Sequence, residues 1–598
     1  MDFSTLNPQQ QRAVKAENTP LLIVAGAGTG KTRTLTSRLM HLIEHGAPAH
    51  TICAVTFTNK AAKEMAERVH YNPKSGGFIG TFHSLGANIL RKEAKELGRT
   101  SHFTIFDDHD SLSVIKKVLK ELDIKGGKPP RFLQFISYIK SGAGKETLSL
   151  RHREEQRVFE RYEMALTRNN AFDFDDLIAK VVWLFENRPA ILAKYQEKYQ
   201  YILVDEYQDV SPAQYTLIRL LSGPNKNVSV VGDDAQMIYG WRYANIETFL
   251  QFERDWPNAQ VVLLEENYRS SGTIVHAASA VIANNIVARE KNLWTRNPDG
   301  EVITITETLN EEDEAEWIAA QILEGKLSKG NRQGSTAILY RTNAQSRAIE
   351  QALLKKNIAY RIYGGLKFYD RREIKDIVAA LRLTMNPKDE MSRERLEKAF
   401  RVRVWKALLP VLEEALGKPP REVIENFLST TEYFDYLERE TMNPEERREN
   451  INELLRFAES FSDLGTFLEH IALVQSTDDV NAELKAKSLT LNAMPVHLST
   501  IHLAKGLEFD QVFLAGCAEG MLPHNRSMES ENEIEEERRL MYVGMTRARH
   551  ELAISFSGIP SRFIGEIPPN LAEFLRTETA TDPSYSDSYS DDLEIQLD

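Results

Sequence analysis

The 598-residue chain contains only two cysteines, Cys53 and Cys517. A structural zinc or iron–sulfur site needs more ligands and a disulfide scaffold more pairs, so neither is expected. This usage fits a reducing compartment, the cytoplasm. No run of 18 apolar residues occurs, which argues against a membrane-spanning helix. Met1 to Gln11 is polar and lacks the apolar core of a secretory signal. Excess positive charge is also missing: 74 Lys and Arg stand against 87 Asp and Glu, a net −13. Such a surface gives little long-range attraction to nucleic acid, although a local groove of basic, amide and aromatic groups still holds a strand. No repeat of fixed short period stands out, so a solenoid is not expected.

Hydrophobic residues make up 42%, enough for ordinary globular cores, and 598 residues are too many for one of them. Apolar strands are predicted at 21–25, 52–57, 201–204, 228–231 and 261–264, then at 336–340, 359–363, 497–501, 511–515 and 551–555. Charge-rich helical stretches interrupt both groups. The pattern predicts an α/β protein with two parallel-sheet domains, each broken by a mainly helical insert. The first domain is expected at 1–84 and 170–264, around an insert at 85–169. The second is expected at 265–364 and 496–570, around a shortened insert at 365–495. A tail, 571–598, is expected to be disordered; from Thr577 it carries seven acidic residues and no lysine or arginine.

The segment Ala25-Gly26-Ala27-Gly28-Thr29-Gly30-Lys31-Thr32 joins the first strand to a helix. Its glycines let backbone amides curl round phosphates, and the helix N-terminus favours negative charge. Lys31 is placed to reach the β and γ phosphates, and the Thr32 hydroxyl to hold magnesium. The strict pattern has glycine where Ala25 stands. Tyr201 to Val204 delivers Asp205 and Glu206 to a sheet edge, one for magnesium and one for the attacking water. Gln236, after a third strand, is placed to sense the γ phosphate. Arg269 and Arg547 are candidates to neutralise transition-state charge.

These motifs, in order, resemble those of superfamily 1 helicases of the UvrD/Rep/PcrA type over roughly residues 6–565. Leu6-Asn7-Pro8-Gln9-Gln10 resembles the Q motif, and 56–62 motif Ia. Phe172 to Leu177 resembles the FDFDDL element, 204–209 motif II, and 232–242 motif III. Residues 266–270 resemble motif IV, 340–343 motif IVa, 500–510 motif V and 538–548 motif VI. The resemblance implies two RecA-like domains, ATP and Mg2+ as cofactors, and 3′–5′ stepping on single-stranded DNA and its junctions with duplex. It implies that Gln10 reads adenine, Arg33 flanks the base and Tyr268 stacks on it. Glu508 would touch the ribose, while Arg269 and Arg547 would reach the γ phosphate. Repair or replication proteins are implied partners. Phe57, Tyr239 and Trp241 are expected to stack on bases at ~1–3 kcal/mol each. Asn59, His83, Arg242, Asn343, Thr500 and His502 are expected to meet the same strand. Ala235 stands where the family has Asp, and Leu503 where it has Ser. The second insert lacks the family's Gly-Ile-Gly turn for duplex contact between Asn386 and Phe427. Two rival readings follow: a translocase that strips bound proteins and unwinds weakly, or a non-hydrolysing DNA-binding scaffold.

Overall fold

A computed structural model describes residues 3–17, 19–71, 76–143, 153–223, 227–324, 334–362, 369, 371–440, 444–476 and 495–577. Leu21–Ala25 (β1), Ile52–Thr56 (β2), Phe78–Thr81 (β3), Tyr201–Val204 (β4), Val228–Gly232 (β5) and Gln260–Leu264 (β6) form one sheet, in the order β3-β2-β4-β5-β1-β6. Every pairing is parallel. Parallel sheets are covered on both faces, which is why β1 reads as an unbroken apolar run and β5 as one interrupted only by Ser229 before its terminal glycine. Leu22, Val24 and Val55 pack into the core on one face; Leu21, Ile23 and Ala54 pack into the core on the other.

The second sheet is built from Ile303–Thr308 (β7), Thr336–Tyr340 (β8), Tyr360–Ile362 (β9), Val496–Thr500 (β10), Phe509–Leu514 (β11), Ala548–Ser557 (β12) and Ala572–Arg576 (β13). Its order is β9-β10-β8-β11-β12-β7-β13, again all parallel. Strand β13 corrects the expected tail boundary at 571. It hydrogen-bonds to the edge of β7, and Arg576 pairs with Glu307 at 2.7 Å. Its side chains are mostly exposed, so no apolar run betrays it. The acidic stretch beyond 577 and the expected boundary at 364/365 lie outside the described residues.

Each insert has its own core. Phe106, Ile115, Phe132 and Tyr162 centre the first. Ile374, Leu381, Phe427, Leu454 and Phe467 centre the second, which has seven helices among the described residues. The inserts touch. Buried Asn386 donates from Nδ2 to Thr104 Oγ1 and to the Asn169 carbonyl, both at 2.8 Å. Arg382 pairs with Asp110 at 2.5 Å. No helix among the described residues is long and apolar enough to cross a membrane.

Candidate active site and nucleic-acid face

A cleft of about 1240 Å³ is lined by residues from both α/β domains. On the first side, Ala25 ends β1 fully buried, so its methyl belongs to the core and leaves the phosphate loop clear. Gly28 follows at φ +70°, and a Cβ there would stand 2.6 Å from Asn267 Nδ2 and 2.8 Å from Arg269 Cβ. Gly30 starts the Lys31–Glu44 helix at φ +83° with no side-chain cap. The first amides of that helix are therefore free for an anion. Thr29 and Ala27 are buried within the turn.

Lys31 Nζ donates to the Ala25 carbonyl at 3.4 Å and lies 3.9 Å from Asp233 Oδ2. Burial pulls its pKa below the usual lysine value, with Glu206 and Asp233 acting in opposition. The Thr32 hydroxyl donates to Asp205 Oδ2 at 3.1 Å. Burial, then the charge of Glu206, pushes the Asp205 carboxyl up to about 7. Glu206 itself sits at φ +51°, a left-handed conformation uncommon outside glycine and held by its surroundings. Gln208 Nε2 donates to its carboxylate at 2.6 Å. Burial alone would raise the Glu206 pKa; Lys31 and Lys505 outweigh it and hold the group below its ordinary value. The result is a fixed anion beside an open phosphate loop.

Gln236 Nε2 donates to Asp233 Oδ2 at 2.6 Å, and Arg547 reaches its Oε1 at 3.5 Å. Arg547 is buried just after the Glu531–Met545 helix, where Nε donates to the Val543 carbonyl at 2.9 Å and Nη1 to the Leu507 carbonyl at 3.1 Å. Burial, then the neighbouring Arg269, lowers its guanidinium to about 9. Arg269 donates to Glu508 Oε2 at 2.7 Å and to the Thr546 carbonyl at 3.2 Å. Glu508 is also paired with Arg549. Tyr268 lines the cleft with half its surface exposed (50%), its hydroxyl fixed by Glu266 and Asn7 at 2.8 Å each. Arg33 lines the same end and donates to Thr5 Oγ1 at 2.7 Å.

Lys31, Thr32, Glu206, Gln236, Tyr268, Arg269, Glu508 and Arg547 therefore share one cleft. Gln10 does not line it: buried behind the loop, it donates to the Thr29 carbonyl at 3.0 Å. Gln208, Asp233 and Lys505 bond directly to groups of the cleft, and Asp209 to Lys505; motif reading gave none of the four a role. Lys505 crosses from the second domain to pair with Asp209 and donates to the Gln236 carbonyl at 2.6 Å. The available signal was polar residues following a buried strand at the carboxyl edge of a parallel sheet.

Beside the cleft, Trp241 is exposed (58%) and Arg242 lies 4.6 Å from its ring. Of the three rings expected to stack on bases, Tyr239 is the least exposed. It is buried, stacked on Phe57 at 5.1 Å and edge-on to Trp241 at 6.3 Å, with Lys505 5.0 Å from its ring. The three rings thus run in a row, Phe57 against Tyr239 and Tyr239 against Trp241. His83 is stacked on Phe174 at 3.7 Å. Burial takes both His83 and His502 down to about 3, so each offers a neutral imidazole and neither a cation for phosphate. Asn343 is exposed at the end of β8 and Asn59 opens the helix after β2. Thr500 ends β10 buried, its hydroxyl accepting from Leu503 N at 3.4 Å.

Residues 6–257 match the UvrD/REP helicase N-terminal domain, and residues 262–418 and 419–558 match the UvrD-like helicase C-terminal domain. The ATP-dependent DNA helicase PcrA of Bacillus subtilis (strain 168) is 41% identical over 652 residues, covering 97% of this chain and 88% of its own length. Its counterpart of the same name in Staphylococcus aureus (strain NCTC 8325 / PS 47) is 39% identical over 644 residues, covering 95% and 87%.

Proposed function

The chain belongs to the UvrD/REP helicase family, and from that premise we propose that it is an ATP-dependent DNA helicase stepping 3′ to 5′ on single-stranded DNA in repair, replication or recombination. The observation that carries this reading is the convergence of Lys31, Glu206, Arg269 and Arg547 on one cleft between two sheets. Lys31 and the bare helix N-terminus hold the triphosphate. Thr32 and Asp205, two oxygen donors 3.1 Å apart, fit a hard cation such as magnesium. When bound, that cation neutralises phosphate charge. Glu206 accepts the proton of the attacking water, and its depressed pKa keeps it anionic for the task. Arg269 and Arg547 meet the charge that builds on the γ phosphate, with Gln236 between Arg547 and Asp233 as the sensor. Tyr268 stacks on the base and Glu508 receives the ribose.

Trp241 stacks on the strand without reading its sequence. Closure of the cleft moves Lys505, Gln236 and the Trp241 loop together, because Lys505 touches both the Gln236 carbonyl and the Tyr239 ring. The test is steady-state ATP hydrolysis with and without single-stranded DNA. Lys31→Ala should weaken nucleotide binding. Glu206→Gln should bind ATP yet lose turnover on the order of 10²–10⁴-fold. Near-normal turnover in both variants sinks the assignment.

A second reading, a translocase that unwinds duplex weakly, is favoured by Asn386. It begins the stretch where the family carries its duplex-binding turn, and here it is buried against the first insert. The complete set of cleft residues speaks against a non-hydrolysing scaffold.

A further inference from the structure

The residues from Tyr239 to Tyr243 carry exposed Trp241 between two anchors that belong to different bodies. One anchor is the second α/β domain. The Gly240 N–H donates to Glu536 Oε1 at 3.0 Å, and the Tyr239 hydroxyl donates to the His502 carbonyl at 3.3 Å. The fit is close: a Cβ on Gly240 would lie 2.2 Å from Glu536 Oε2. The other anchor is Tyr243. Its hydroxyl donates to the Gln134 carbonyl at 3.2 Å, and its ring lies 5.5 Å from that of Tyr138 at 59°. Gln134 and Tyr138 both belong to the Pro129–Lys140 helix of the first insert. That helix is pinned in turn, because Lys140 is buried among Glu163, Asp173 and Asp176 at 2.7, 2.6 and 2.9 Å.

Tyr243 also has a backbone that its side chain does not favour. Its φ is +66°, in the left-handed region where glycine is the comfortable residue. Such a conformation persists where the surroundings over-determine it. Here the Tyr243 N–H donates to the Gly240 carbonyl at 2.8 Å, and the ring and hydroxyl are held by the insert. The ring does not line the nucleotide cleft.

We infer that Tyr243 is a positioning residue that ties the Trp241 loop to the first insert, so that motion of the second domain swings Trp241 about a fixed end. The inference rests on the reading of this protein as a DNA motor. With the tether, a displacement of Glu536 becomes a rotation of Trp241 against the strand. Without it, the whole loop follows the second domain and the displacement is lost to slippage.

Tyr243→Gly removes the ring and relieves the left-handed strain, so folding should survive. Tyr243→Phe keeps the ring pair and loses the bond to Gln134. Full-length proteins should be compared for basal ATPase, for kcat and KM of DNA-stimulated ATPase on a poly-dT oligonucleotide, and for nucleotides travelled per ATP. In Tyr243→Gly, basal ATPase should stay within about twofold, KM for DNA should rise about tenfold, and nucleotides per ATP should fall. Tyr243→Phe should recover most of both. Tyr138→Ala, which removes the ring partner alone, should reproduce the KM rise and supplies the answer if Tyr243→Gly does not fold. An unchanged KM and coupling ratio in Tyr243→Gly or in Tyr138→Ala, beside a wild type stimulated by DNA, overturns the role of Tyr243. A wild type whose ATPase ignores DNA overturns the motor reading first.

Discussion

Arg269 is bonded to Glu508 in this structure, so an arriving γ phosphate must compete with a carboxylate for it. Among the described residues Arg547 is bonded to no carboxylate; its guanidinium is held by the carbonyls of Val543 and Leu507 and lies 3.5 Å from Gln236 Oε1. Alanine at either arginine should cut kcat by about 10³-fold or more while nucleotide affinity changes little. Equilibrium binding of a fluorescent nucleotide beside saturated turnover separates the two effects, and equal losses in both contradict the role. Asp175 invites a pH experiment. Burial and Asp173 push its carboxyl up to about 7, against the opposing hydrogen bond from Ser137 at 2.5 Å and the charge of Lys140. The fold thus favours the protonated form. Its stabilising contribution is complete below the unfolded value of 3.8 and is lost as pH rises through about 7. Asp175→Asn should therefore stabilise the protein more at about pH 8 than at about pH 5 in denaturant melts. An equal change at both pH values contradicts this. At this scale, the legible groups were those next to one another in sequence at one strand end, such as Lys31 with Thr32 and Asp205 with Glu206. The pairing of Lys505 with Asp209 joins residues 296 apart and follows only from the fold.

Among the elements, edge position alone did not decide legibility: the edges β6 and β9 show in the sequence as apolar stretches, and the edges β3 and β13 do not. β1, β4 and β5 show as apolar runs because helices cover both sides of the sheet. β3 and β13 are edges, one partly exposed and the other largely so, and their hydrogen bonds leave no mark on hydropathy. The Gly240–Arg242 turn is a similar case. Its motif was recognisable, yet only the fold separates exposed Trp241 from buried Tyr239. Trp241→Ala should weaken single-strand binding by ~1–3 kcal/mol and slow stepping, with basal ATPase retained. Fluorescence anisotropy on a labelled oligonucleotide measures the first effect. Unchanged affinity in a folded variant returns Trp241 to a structural role.

For the whole molecule, the docked inserts bear on duplex separation. The second insert spends Arg382 and Asn386 on the first, and the chain carries a net charge of −13. Duplex binding should be weak, with a shallow dependence on salt, because few phosphates are neutralised. The protein should translocate on single strands faster than it unwinds a tailed duplex as a monomer. Single-turnover unwinding beside translocation at one salt concentration is the measurement, and equal rates over long duplex contradict the expectation. The same layout sets an order of assembly on the ribosome. The core residues of the first insert lie between Phe106 and Ala171, and those of the second between Tyr369 and Ile471, so each closes from a short span of chain. The sheets are the opposite: Leu21 pairs with Gln260, and Ile303 with Ala572. At ~5–20 residues per second, β1 waits on the order of tens of seconds for its neighbour. High contact order makes the sheets the slow step, and their unpaired edges are open to aggregation throughout that wait. Each α/β domain therefore closes after the insert it encloses, and that interval is when the nascent chain depends most on chaperones.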